Sequence, residues 1–189
     1  MTATVQAAAW VDGEAVTVEE VEARLAALRT GTFGARLPGP HTAEGRNARR
    51  WVVQLLCGER IARAELAARG IAASRPTAPA QLHRALRLGG VAAALLAAIP
   101  ETAELLDSAQ CPVDDDAVCA YYERNHDLFA DRGISFVAAR SGILADLQAE
   151  AADRAFTVWL DGRLASAVVL AHGFEHPAEP GHADSTHRH

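Results

Sequence analysis

The side chains in this 189-residue chain best suited to hold a metal lie at its C-terminal end. His172, His176, His182, His187 and His189 fall within the last eighteen residues, beside Glu175, Glu179 and Asp184. Imidazole nitrogens and carboxylate oxygens are ligands for Zn, Fe, Ni or Cu, and the H-x-x-x-H and H-x-x-x-x-H-x-H spacings supply donors for several coordination geometries. No cysteine stands near them, so a site here would be open, and catalytic or regulatory, with His41, His83 or His126 to draw on from the body of the chain. The other reading of the same composition is a disordered tail that binds a transition metal ion only weakly or adventitiously.

Elsewhere the reactive residue types are sparse. Cys57, Cys111 and Cys119 have no metal-ligand spacing and read as small buried hydrophobes, with Cys119 expected to face a core beside Tyr122. Arg49 and Arg50, with Arg46 one turn earlier, are spaced to clamp a carboxylate or phosphate, or else to form a solvated helix face paired with Glu19, Glu22 or Asp153. Tyr121 and Tyr122, followed by Glu123, Asn125 and His126, carry groups able to move a proton, although packing is the plainer role for them. All eighteen basic residues are arginine, which removes Schiff-base and P-loop lysine chemistry. Neither G-x-S-x-G, G-x-G-x-x-G nor a repeating period is present.

Composition narrows the class further. A formal charge of -6 argues against a nucleic-acid partner, which calls for basic excess. Half the residues are apolar, only 5% are aromatic and roughly a fifth are alanine, so the core is expected to be helical and built of small aliphatic side chains. The N-terminus has no basic stretch ahead of an apolar one, and three cysteines suit a reducing compartment, which together predict a cytoplasmic location. The most apolar run, 91–99, is far short of the roughly 20 residues of a membrane helix, so no membrane partner is expected.

The elements that must position these groups follow from period and capping. Residues 10–16 read as strand with Asp12-Gly13 as its turn, and Thr17 with Glu20 forms a capping box, with Val16 and Val21 as a hydrophobic staple. The stripe Val18, Val21, Leu25 and Leu28 predicts a helix ending near Gly31, and 31–42 is a Gly/Pro loop. A long helix spans 43–69 with Trp51, Val52, Leu55, Leu56, Ala62 and Leu66 on its apolar positions, closed by Gly70. Pro79 opens a further helix, 91–99 forms a short buried one stopped by Pro100, and 101–107 another. Asp114, Asp115 and Asp116 open a helix running toward Asn125. Residues 134–138 alternate as a lone strand, 143–164 read as helix, and 166–171 as a strand that pairs with residues 10–16. The expected organisation is one domain over 1–171 and a His-rich tail over 172–189.

Taken in order, Val11-Asp12-Gly13, the helix start at 17–21, the helix 55–71, the Y-Y-x-x-N helix within 113–129 and the RAFTVWLDGRLASAVVL segment make the chain resemble the N-terminal chaperone module of SurA/PrsA-type foldases. The resemblance implies a mostly α fold with a small β element, closed by a C-terminal helix and strand. It also implies a parvulin prolyl-isomerase domain before that terminal helix, but only the thirty residues 130–159 occupy its place. The expected function is therefore a chaperone-like module without isomerase activity, holding an apolar peptide or protein segment in a groove formed by Trp51, Leu55, Arg49, Arg50 and Tyr122 and gated by loop 31–42. The alternative is a metal-dependent enzyme of small-molecule, secondary-metabolite biosynthesis that encloses a small apolar substrate and uses the C-terminal histidines. A second copy closing the groove as a homodimer is a further alternative.

Overall fold

The first hairpin is set by its turn. In the computed structural model, which describes residues 6–31, 34–72, 88–105 and 112–175, Asp12 (φ 49°) and Gly13 (φ 88°) both occupy the left-handed region. A two-residue connection of this kind matches the twist of the strands it joins. Strands β1 (Ala7–Val11) and β2 (Glu14–Thr17) pair antiparallel, with Trp10 opposite Ala15. Strand β3 (Val168–Leu170) adds to the other side of β1, also antiparallel, with Trp10 opposite Val169, giving the order β2-β1-β3. The expected pairing of the two chain segments is thus present. The strand is shorter than 166–171 because the preceding helix continues through Ala167, whose carbonyl accepts the Asp12 N–H at 2.9 Å.

The capping box forms as its spacing predicts. Thr17 Oγ1 accepts the Glu20 N–H at 3.1 Å, and Glu20 Oε2 accepts the Thr17 N–H at 2.7 Å, opening α1 (Val18–Thr30). Val16 and Val21, the staple pair, are fully buried. Helix α2 (Ala43–Ala68) begins where Thr42 Oγ1 accepts the Gly45 N–H. A Cβ at position 45 would collide with the Gly39 carbonyl oxygen, so only glycine lets the loop cross the start of this helix.

At 26 residues α2 is about 40 Å long, and it is the spine of the fold, packing against α1, the sheet and α3 (Gly90–Ala98). Around its middle, Cys57, Gly58, Glu59, Ile61 and Ala62 are all buried, while Leu56 and Arg60 keep partial exposure. Leu95 of α3 and Leu160 of the C-terminal helix approach over Gly58, where a Cβ would meet them at ordinary van der Waals distance. Pro100 stops α3 and starts a 3-10 turn, Pro100–Leu105.

The chain divides into two compact units, Met1–Thr102 with Leu160–His189, and Ala103–Trp159. The second contains α4 (Asp115–Arg124), α5 (His126–Ala130) and the part of α6 (Phe136–Ala167) that runs to Trp159. Asp114 caps α4, its Oδ1 accepting the Ala117 N–H at 2.7 Å, and Asp115 forms an ion pair with Arg140. Val118, Ala139 and Ile143 make a small buried cluster, flanked by half-buried Tyr121, Tyr122, Phe129 and Phe136.

Two expectations fail here. Residues 134–138 are not a strand: Ser135 Oγ accepts the Ala138 N–H at 3.4 Å as α6 starts, and Val137 is 84% exposed. The helix expected over 143–164 accordingly begins at Phe136. Cys119 does not face the core but is exposed, because the preceding residue, Val118, takes the buried position. The helix expected after Pro79, with His83, Cys111, the end of 101–107, and residues 176–189 lie outside the described residues. Among the described residues no helix is long and apolar enough to cross a membrane.

Candidate functional site

Helices α1 and α2 each carry one stripe at the i, i+3, i+4, i+7 spacing that places residues on a common helix face. On α1 it is Glu20, Ala23, Arg24 and Ala27; on α2 it is Leu56, Glu59, Arg60 and Arg63. The two stripes face each other across a cavity of about 440 Å³ that these eight residues line. Ala23, Ala27 and Leu56 make its apolar part, and three guanidiniums with two carboxylates make the rest.

The ions are held in a fixed order. Glu59 is 1% exposed, and a buried carboxylate needs charged partners. It has them in Arg24, whose Nη1 donates to Oε1 at 2.7 Å and Nη2 to Oε2 at 3.0 Å, and in Arg63, whose Nη1 reaches Oε2 at 3.2 Å. The fork-to-fork geometry of Arg24 and Glu59 is the strong form of this contact, and the carboxylate raises the Arg24 pKa above its ordinary value. Arg60 ties the hairpin in: its Nη1 donates to the Ala15 carbonyl and its Nη2 to Glu20 Oε1, both at 2.7 Å. The Thr17 N–H, with Arg60 adding to it against a smaller desolvation, holds the Glu20 carboxyl below its usual range.

A guanidinium does not give up its proton in a protein, and Glu20 is a weakened base, so this cavity is equipped to recognise a ligand. Cys57 lies in α2 but is buried, and burial pushes its thiol up to about 11 against the pull of Arg60, which keeps it protonated and unreactive at neutral pH.

The residues expected to form a groove each have a defined place. Leu55 is buried in the core, one position before the cavity-lining Leu56. Trp51 sets its Nε1 close to Gly90 at the start of α3. Arg49 forms an ion pair with Glu22 and lies over the Phe174 ring at 5.5 Å, and Arg50 is buried with its Nη1 donating to Asn47 Oδ1 at 2.9 Å. Arg49 and Glu22 also line a second, smaller cavity of about 160 Å³ with Arg29, Pro40 and His41. Tyr122 belongs to the second unit, where it stacks on Phe129 at 4.9 Å, meets Phe136 edge-on, and donates its hydroxyl to the Ile134 carbonyl at 3.0 Å.

Of the expected metal ligands, His172 and Glu175 are described and face each other, Nδ1 to Oε1 at 3.2 Å, on an exposed turn after β3. The Glu175 carboxyl sits below its usual range, held by its own backbone N–H first, then by Gly173 and His172. His176, His182, Asp184, His187 and His189 lie outside the described residues. Among the described residues no group of three or more His, Cys, Asp or Glu side chains is gathered for a metal.

A family of unknown function (DUF7158) matches residues 7–44. The match covers the hairpin, α1 and the loop into α2, and so the α1 wall of the cavity but not the α2 wall. No curated protein and no solved structure matches the chain.

Proposed function

We propose that this protein is a noncatalytic binding module of the chaperone type, one that holds an extended peptide or protein segment against the cleft between α1 and α2. The observation that carries this reading is the cleft itself. Its aliphatic floor of Ala23, Ala27 and Leu56, walled by guanidiniums that cannot act as proton donors at neutral pH, suits contact with a chain carrying both apolar and polar groups. The order of elements supports it too, since a strand near the end of the chain returns to β1 as the SurA/PrsA resemblance implies. Residues 130–159, where the resemblance implies an isomerase domain, form the end of α5, a turn and most of α6.

Fluorescence anisotropy with short, extended, apolar peptides, acetylated and amidated at their ends, tests the proposal on the full chain. Saturable binding with a dissociation constant on the order of 10 μM, unchanged by a chelator, is the expected result. Absence of binding by every peptide, with one equivalent of Zn, Fe, Ni or Cu travelling through gel filtration, would overturn it in favour of a metal-dependent enzyme.

A further inference from the structure

The arginines of the cleft are not equivalent, and the difference assigns a ligand chemistry. Each guanidinium carries five N–H donors. Arg24 spends its two Nη groups on Glu59, and Arg60 spends its own on Ala15 and Glu20, so both are committed to holding α1, α2 and the hairpin together. Among the described residues Arg63 makes one contact, the longest of the set at 3.2 Å, and its side chain is 56% exposed at the cleft.

Charge points the same way. Three guanidiniums face two carboxylates in this cavity, a local positive excess inside a protein whose formal charge is -6. The field of the whole molecule repels anions, so the excess is a property of this cleft. Space is left for a ligand by alanine at 23 and 27, the two α1 positions that share the stripe with Glu20 and Arg24. Longer side chains there would fill the cavity or cover the guanidiniums.

We infer that the α1–α2 cleft is a carboxylate-recognition site in which Arg63, backed by Arg24 and Glu59, binds an acidic group of the partner segment while Ala23, Ala27 and Leu56 take the adjoining aliphatic part. The inference rests on the peptide-binding reading and deepens it. A planar carboxylate matches the guanidinium fork in two parallel hydrogen bonds, which a carboxamide of the same size cannot reproduce. Glu59 positions the site by engaging both Nη groups of Arg24 but only Nη1 of Arg63, whose Nη2 and Nε edge faces the partner carboxylate.

The test compares two blocked apolar peptides differing at one central residue, glutamate or glutamine, and a third that has no acidic side chain but a free C-terminal carboxylate. The glutamate peptide is expected to bind about tenfold more tightly than the glutamine one, with the gap narrowing as salt is raised. Binding of the third peptide at the glutamate level assigns a chain terminus as a second source of the same group; failure restricts the site to side chains. Two variants locate the effect. Arg63→Gln removes the open fork at an exposed position, and Ala27→Glu supplies an internal carboxylate from an exposed position on α1. Both should abolish the glutamate preference while the circular dichroism spectrum is kept. Equal binding of the glutamate and glutamine peptides would overturn the carboxylate assignment and leave peptide binding standing. Full discrimination in both variants would overturn the assignment to this cleft. No binding by any peptide would remove both proposals.

Discussion

The two units of this chain are stabilised by different means. In the first, α2 packs its aliphatic positions into a core in which Val52, Val53, Ile61, Leu66 and Leu95 are essentially inaccessible, and buried charge enters at Arg50 and in the Arg24–Glu59–Arg63 cluster. In the second, Val118, Ala139 and Ile143 form a small closed cluster, beside which half-buried Phe129 stacks on Tyr122 and Phe136 meets it edge-on. Each unit buries a carboxylate, Glu59 in the first and Asp153 in the second, but the extended aliphatic core belongs to the first.

The contrast can be broken at its strongest point by Leu95→Ala. That change opens a cavity over Gly58 and should cost about 2–5 kcal/mol, read as a drop in denaturation midpoint and in hydrogen-exchange protection along α2. A smaller effect is expected where the first unit is charged. Arg24→Met leaves Glu59, among the described residues, with the Arg63 contact and should cost about 2 kcal/mol, since the guanidinium is only partly buried; adding Glu59→Leu should restore most of the loss. Denaturant titration of the two variants separates a net gain from the pair from the penalty of orphaning one partner.

In the second unit, Tyr122→Phe keeps the ring contacts and removes only the bond to the Ile134 carbonyl. The expected loss is about 1 kcal/mol, with exchange protection reduced within 112–147. Smallest is the response of Glu20. Its folded pKa lies below its ordinary 4.5, so its contribution is present above that value and is lost as pH falls through the lower folded value. The melting temperature of Glu20→Gln should sit below that of the parent at pH 7 and converge with it under pH 4.5.

Much of the fold is legible from local chemistry. Asp12-Gly13 fixes the hairpin, Thr17 with Glu20 starts α1, and the period of Trp51, Leu55, Ala62 and Leu66 marks α2, because each signal acts within a few residues of itself. Residues 134–138 mislead for the converse reason. Five residues of I-S-F-V-A satisfy a strand alternation and a helix entry equally well, and Ser135 decides the matter by capping. Cys119 shows how narrow the margin is on a short helix, where one residue of rotation, about 100°, exchanges a core position for solvent.

The cleft was harder to see. Read alone, Glu20-x-x-Ala23-Arg24-x-x-Ala27 and Leu56-x-x-Glu59-Arg60-x-x-Arg63 are each an ordinary solvated stripe. Their signal is that both share one spacing, and it acquires meaning only when tertiary packing sets one helix against the other. Attention to Arg49 and Arg50, adjacent in sequence, picks residues that diverge in space, one to Glu22 and the other into the interior.

The position of β3 has a kinetic side. Between Thr17 at the end of β2 and Val168 at the start of β3 lie 150 residues. Synthesis at about 5–20 residues per second takes on the order of ten seconds to cross that interval. A hairpin closes in microseconds, so during translation β1 waits with one row of N–H and C=O groups unpaired and Trp10 beside it. Such an edge is a template for any extended chain nearby. Completion of the sheet is therefore a late event on the ribosome's clock, set by the long interval between β2 and β3.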